Sequence, residues 1–175
     1  MEFLEAIKAR IPDYAKDIRL NLDGTLLRTS LEASDALAVA LAAAFAAKSP
    51  FLADAVRRSG LLPTDQANAA LAAAALMGMN NIWYPYVEMT GDPQIRSLPA
   101  QLRMNAYANH GGVSKRQFEM YALAASIIGK CQFCVSSHYE LLKKEGMDLS
   151  QLRDVGRIAS VINATAQILV AEGAA

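Results

Sequence analysis

Residues 114–146, SKRQFEMYALAASIIGKCQFCVSSHYELLKKEG, decide the fold, because they contain two helices together with their start and stop signals. The first four residues form a capping box, in which the Ser114 hydroxyl accepts the Gln117 amide and the glutamine side chain reaches back to Ser114. The first helix is predicted to end at about Gly129, which permits a stop. The second is predicted over residues 131–145, with a glycine just past its end.

The rest of the chain has the same helical character. Its 175 residues include 33 Ala and 21 Leu against 10 Ile and 8 Val, so the apolar content is in good helix formers rather than β-branched residues. Further helices are predicted over residues 2–9, 14–22, 31–47, 50–60, 66–77 and 148–171. No convincing strand pair is present. The sequence therefore predicts an all-α protein, with residues 1–175 forming one domain.

Glycine and proline are expected to interrupt the middle of the chain. A helix should end before Gly78, Pro85 should disturb or end the segment that follows, and residues 90–99 are the best candidate for a connecting loop. A shift of 51 residues lays Gly78 on Gly129, so that in both copies an Ala-rich helix meets a glycine and then a second helix. This pattern predicts two related halves, at about 30–90 and 100–171, from an internal duplication.

Charge and cysteine content exclude several classes of protein. The 17 Lys+Arg cancel the 17 Asp+Glu and no basic cluster recurs, which argues against a nucleic-acid partner. Both cysteines lie in one C-x-x-C motif, so there is no disulfide framework of the secreted type. The longest near-continuous apolar run, residues 69–79, is too short to span a membrane, and the start does not resemble a signal peptide. We expect a soluble cytoplasmic protein.

Cys131, Cys134 and His138 form the constellation that carries chemistry. They stand at i, i+3 and i+7, which is one face of a helix. Cys131 is expected in the first turn, where free amides and the helix dipole favour a thiolate, and Cys134 lies four residues before an imidazole that can take its proton. Two sulfurs at this spacing suit reversible oxidation. Glu119 can reach His138 and hold its tautomer only if the turn at Gly129 folds the two helices together.

Three other interpretations of the cysteines remain at this point. Buried free cysteine is an ordinary core residue. A structural zinc site needs four Cys or His ligands, yet the only other histidine is His110. A thioredoxin-like protein would place the motif after a strand, whereas the flanking segments here are helical. A redox-active dithiol is favoured over all three.

The spacing of Glu119, eleven residues, Cys131-x-x-Cys134, three residues and His138 resembles the active-site pattern of the alkylhydroperoxidase D family, within the carboxymuconolactone decarboxylase-like superfamily. The resemblance extends to residues 12–22, 77–81 and 102–105, and so covers essentially the whole chain. It implies an all-α protein with two related halves, usually a homotrimer. It also implies a cytoplasmic antioxidant enzyme that reduces organic hydroperoxides.

The resemblance also implies roles for these residues. The residue matching Cys134 is attacked by the hydroperoxide and becomes a sulfenic acid, and the one matching Cys131 donates a proton and then resolves it as a disulfide. Residues matching Glu119 and His138 form a proton relay. A dihydrolipoyl group on a dehydrogenase-complex subunit reduces the disulfide, electrons can pass to alkyl hydroperoxide reductase C, and no metal or flavin is bound. The dipole argument alone would choose Cys131 as the attacking sulfur.

One residue departs from the family pattern, because Phe133 stands where some members carry a histidine. We expect this to alter the rate rather than the reaction. Two further functions remain as alternatives. One is ring-lactone decarboxylation of the superfamily type, which needs no redox dithiol. The other is an adaptor or sensor whose dithiol carries electrons without peroxidase turnover.

Overall fold

The computed structural model describes residues 1–174, and every regular element in that range is helical, which confirms the all-α prediction. The helices are α1 (Glu2–Lys8), α2 (Lys16–Leu26), α3 (Ala33–Ala46), α4 (Pro50–Arg57), α5 (Thr64–Thr90), α6 (Pro93–Ser97), α7 (Asn105–Ala108), α8 (Lys115–Gly129), α9 (Gln132–Lys144) and α10 (Leu149–Ala171). Short 3₁₀ turns lie at Asp13–Ala15 and His110–Gly112. Over these same residues, no helix is both long enough and apolar enough to cross a membrane.

Helix α8 lies at the centre of the molecule. Its nine consecutive residues from Phe118 to Ser126 are buried, and α3, α5, α9 and α10 all pack against it. Helix α3 is enclosed in the same way from Ala36 to Ala44. Small alanine side chains allow neighbouring helices to approach closely. A polar side chain on the middle of α8 is therefore held deep inside the protein.

Side chains cap the starts of several helices, including the predicted start of α8. Ser114 and Gln117 make both bonds of the capping box of α8, and Asp148 and Gln151 make a second capping box at α10. Ser49 caps α4, because its hydroxyl accepts a hydrogen bond from the Leu52 amide, and Pro50 occupies the first turn. These signals depend on a few neighbouring residues, which is why the sequence reveals them.

The predicted interruptions in the middle of the chain are wrong. Helix α5 runs without a break through Gly78 and Pro85. A glycine inside a helix costs only about 1 kcal/mol relative to alanine, and the proline removes one backbone hydrogen bond, to the carbonyl of Asn81. Packing of α5 against α3 and α8 outweighs both costs. The expected loop at 90–99 also contains a short helix, α6. Its N-cap residue Asp92 accepts a hydrogen bond from the Gln94 amide.

The internal repeat stays a prediction, as do the single domain and the boundaries 30–90 and 100–171. The helix–glycine–helix pattern that suggested the repeat is present only in the second half. Gly129 ends α8, whereas Gly78 lies inside α5. The two glycines matched by the 51-residue shift therefore occupy different structural positions.

A buried carboxylate joins α10 to the segment before α3. Asp154 is buried and accepts hydrogen bonds from the Ser30 amide at 2.7 Å, the Ser30 hydroxyl at 2.9 Å and Arg157 at 2.9 Å. Arg153 donates a further bond at 3.2 Å. Burial alone would raise the pKa of Asp154, but these bonds outweigh it and hold the pKa well below its ordinary value.

Candidate active site

The turn between α8 and α9 brings the predicted site residues together. Lys130 adopts the left-handed conformation with φ 54°, and its amide and that of Cys131 bond back to the carbonyls of Ile127 and Ser126. This is the Schellman arrangement for ending a helix. The chain then reverses, so that α9 packs against α8.

Gly129 is needed in this turn because it has no side chain, and not because of an unusual backbone angle. A Cβ atom at this position would lie 2.1 Å from Nδ2 of Asn81 on α5. That Nδ2 donates a hydrogen bond of 3.0 Å to the carbonyl of Ala125 in α8. The glycine therefore lets a buried amide connect α5 to the last turns of α8, next to the cysteine motif.

Cys131 and Cys134 form a disulfide, with the two sulfurs 2.23 Å and the Cα atoms 5.3 Å apart. Both side chains are buried. Cys131 was expected in the first turn of the helix, but it is the N-cap residue of α9, and its Sγ accepts the Cys134 amide at 3.2 Å. Cys134 Sγ lies 3.8 Å from the backbone oxygen of Asn80. The sulfur pair thus lies at the positive end of α9, where a thiolate is stabilised.

Glu119 and His138 are also brought into contact, because α8 and α9 fold back on each other. Glu119 Oε2 accepts a hydrogen bond from His138 Nδ1 at 2.6 Å, and both side chains are buried. Burial alone would raise the pKa of Glu119. Hydrogen bonds from His138 and Tyr107, together with the charges of His138 and Lys115, outweigh burial and lower the pKa. Glu119 is therefore held as a carboxylate that fixes the imidazole.

Two further residues contact this pair, and no sequence motif singles out either of them. The Tyr107 hydroxyl donates to Glu119 Oε1 at 2.5 Å and lies 3.5 Å from His138 Nδ1. Met77 Sδ lies 3.2 Å from His138 Nε2. Met77 falls in one of the stretches that resemble the family, and Tyr107 lies two residues past another, so the resemblance pointed to these regions without assigning a role.

The structure brings together two pairs but does not join them directly. Within the described chain, no hydrogen bond connects His138 to either sulfur of Cys131 and Cys134, because Nε2 faces Met77. The side chains of Cys131, Cys134 and His138 are all buried. Among residues 1–174, no group of three or more His, Cys, Asp or Glu side chains is arranged to hold a metal ion.

A groove of about 610 Å³ lies on the opposite side of α9. Its walls come from α5, α6, the segment after α6 and α9, and Trp83, Tyr84 and Phe133 provide aromatic surface. Tyr84 stacks on Phe133 with the ring centroids 4.5 Å apart. Phe133, which stands between the two cysteines in sequence, is half exposed and lines this groove.

Comparison with known proteins gives a consistent result. The model of the carboxymuconolactone decarboxylase family matches residues 93–175, which include the disulfide and the Glu119–His138 pair. A protein of Rhodospirillum centenum named alkyl hydroperoxide reductase AhpD is 42% identical over 173 residues, covering 98% of this chain and 92% of the relative. Proteins of the same name from Maricaulis maris and Coxiella burnetii are 39% and 38% identical, each over 97% of this chain and 98% of the relative. Since these similarities extend over nearly the full length of both partners, the chain belongs to the alkyl hydroperoxide reductase AhpD family.

Proposed function

We propose that this protein reduces organic hydroperoxides with the dithiol form of Cys131 and Cys134. One observation carries the proposal: a sulfur pair capping a helix N-terminus lies on the same helix as the buried His138, which Glu119 holds. Heterolysis of an O–O bond needs a thiolate and a proton for the departing oxygen, and these two pairs supply both. The names of the relatives agree with this reaction.

The proposed reaction begins at Cys134, which is the residue implied by the family resemblance. Its thiolate attacks the terminal oxygen of the hydroperoxide, the O–O bond breaks, and the alkoxide takes a proton and leaves as an alcohol. Cys134 is then a sulfenic acid. The sulfur of Cys131 attacks the sulfur of Cys134, the S–O bond breaks, and the hydroxide takes a proton to become water. Across both steps, the two thiols lose two electrons when they become a disulfide, and these electrons reduce the hydroperoxide to an alcohol and water.

Cys131 suits the second step because of its position in α9. As the N-cap residue, its sulfur accepts a hydrogen bond from the Cys134 amide. This bond favours the thiolate that must attack the sulfenic acid. His138 and Glu119 are proposed to move the protons, with Nδ1 held by the carboxylate and Nε2 left as the nitrogen that exchanges protons. Because Nε2 faces Met77 while Glu119 holds Nδ1, a solvent molecule must bridge Nε2 and the reacting sulfurs.

The reductant, the assembly and the location follow from the family resemblance alone. We propose that a dihydrolipoyl group on a dehydrogenase-complex subunit reduces the disulfide, being itself oxidised to the cyclic disulfide, and that alkyl hydroperoxide reductase C receives electrons from this protein. No bound cofactor is needed, since the two cysteines store both electrons. The proposed assembly is a homotrimer in the cytoplasm. The aromatic groove lined by Phe133 provides a partly apolar surface for an organic substrate or a lipoyl arm.

The experiment follows consumption of tert-butyl hydroperoxide by the purified protein with dihydrolipoamide. We expect turnover by the native protein, none by Cys134→Ser, and a single sulfenic acid on Cys134 in Cys131→Ser, detected by mass spectrometry. Native turnover by Cys134→Ser would overturn the assignment of the attacked sulfur. If the native protein consumes peroxide only when alkyl hydroperoxide reductase C is added, it is an adaptor and not a peroxidase.

A second variant tests the relay. Glu119→Gln keeps the shape of the side chain but removes its charge, so we expect a folded protein that reduces peroxide roughly 100-fold more slowly, at the lower end of general acid–base effects. Glu140→Gln is the matched control, because Glu140 is exposed on α9 and, among residues 1–174, its one ion pair is with Lys143, at 3.5 Å. An unchanged pH–rate profile in Glu119→Gln would remove Glu119 from the relay.

A further inference from the structure

The carboxylate of Glu119 has a different partner on each of its two oxygens. Oε2 accepts from His138 Nδ1 at 2.6 Å, and Oε1 accepts from the Tyr107 hydroxyl at 2.5 Å. Glu119 has no exposed surface, so these two bonds replace the water that a carboxylate would otherwise need. Loss of either partner leaves a buried charged oxygen unpaired.

Tyr107 can serve this carboxylate only as a donor. Burial, followed by its hydrogen bond to Glu119, raises the pKa of Tyr107 above its ordinary value, so the hydroxyl keeps its proton at any working pH. Its ring is held edge-on to Phe118 of α8, with the centroids 5.5 Å apart and the planes at 88°. The hydroxyl is thus fixed in place by a contact that does not involve the reacting groups.

We propose that Tyr107 is a positioning residue for the relay: by holding Oε1 of Glu119, it leaves Oε2 to fix His138 with a proton on Nδ1, so that Nε2 is the nitrogen that exchanges protons. The inference rests on the proposed function, because it assigns a role within that relay. Met77 is the neighbour of Nε2, and a thioether is only a weak acceptor. Of the two ring nitrogens, Nε2 therefore has the weaker partner.

Charged and titratable groups reach Glu119 from three helices. His138 comes from α9, Tyr107 from α7, and Lys115 acts from the first turn of α8 itself. Tyr84 of α5 acts on Tyr107. Removing the Tyr107 hydroxyl takes away one of the bonds that lower the pKa of Glu119, so the carboxyl should take up its proton at a higher pH than in the native protein.

The experiment compares Tyr107→Phe with the native protein by peroxide turnover across pH. A hydrogen bond to a buried charged group corresponds to roughly a 10-fold to 100-fold effect, and we expect kcat to fall by that factor with little change in KM. The acidic limb of the pH–rate profile should move up by about one pH unit or more. In combination with Glu119→Gln, Tyr107→Phe should cause no further slowing, because both changes act through the same carboxylate.

Tyr14→Phe is the matched control, since Tyr14 also donates to a glutamate, Glu172 Oε1 at 2.8 Å, but at an exposed site. It should leave kcat and the pH profile unchanged. An unmoved acidic limb in Tyr107→Phe, or additive slowing in the double variant, would reduce Tyr107 to a packing residue.

A measurement without turnover separates this inference from the proposed function. The ¹⁵N chemical shifts of the His138 ring report which nitrogen carries the proton, whether or not the protein is a peroxidase. We expect the proton of the neutral ring on Nδ1 in the native protein and a mixture of tautomers in Tyr107→Phe. If Tyr107→Phe does not fold, the native spectrum still decides, because a neutral ring protonated on Nε2 contradicts the proposed arrangement.

Discussion

Replacing Gly129 by alanine should destabilise the protein by about 3 kcal/mol. The new Cβ would lie 2.1 Å, 2.5 Å and 2.7 Å from Nδ2, Cγ and Cβ of Asn81, far inside normal contact distance. Displacing the Asn81 side chain breaks its bond to the Ala125 carbonyl, which costs about 2 kcal/mol for a buried pair. Overpacking adds about 2 kcal/mol, and the better helix propensity of alanine returns up to about 1 kcal/mol.

The assay is urea unfolding followed by circular dichroism at one fixed protein concentration, because any self-association would add to the apparent stability. With an m-value of about 2 kcal/mol/M, a loss of about 3 kcal/mol lowers the midpoint by roughly 1.5 M. Gly78→Ala is the matched control, since nothing lies within 4 Å of a Cβ at that position. It should raise the midpoint by up to about 0.5 M. If Gly129→Ala also unfolds at or above the native midpoint, the steric argument is refuted.

Two other substitutions test the charges and caps of the fold. Asp154→Asn should cost about 2–3 kcal/mol at pH 7, because it removes the charge of a carboxylate that accepts five hydrogen bonds. Since folding lowers the pKa of Asp154 from 3.8, its stabilisation is complete above that value and is lost as the pH falls below it. The difference between native and variant urea midpoints should therefore shrink at pH 3, by an amount equivalent to about 1 kcal/mol, and an equal difference at both pH values would contradict this. Ser114→Ala removes the capping box of α8 and should cost about 1 kcal/mol in the same assay, so an unchanged midpoint would mean that the box contributes nothing.

The ends of several helices could be predicted because their signals are local. Ser114 makes the capping box that its sequence context predicts, and the last helix begins at the predicted Asp148. The interruptions at Gly78 and Pro85 could not be judged in this way. Both residues weaken a helix in isolation, but α5 is held by its packing against α3 and α8, and that packing depends on residues far away in the chain.

The same distinction between local signals and tertiary packing applies to the candidate site. The sequence places Cys131, Cys134 and His138 on one face of one helix, because helical periodicity alone relates positions three, four and seven residues apart. Glu119 could be linked to His138 only on condition that the helices fold back. The structure meets that condition, with a left-handed residue at Lys130 ending α8.

The sequence by itself therefore determined the helical class, the chemical groups and their alignment along α9, since each of these follows from composition or from spacing within one helix. The tertiary structure alone decided the partners of those groups. Tyr107 from α7 meets Glu119, and Met77 from α5 meets His138, only because these helices and α9 come together beside the buried middle of α8. No local pattern encodes such a meeting, because the distance between two side chains on different helices depends on how every intervening turn and contact closes.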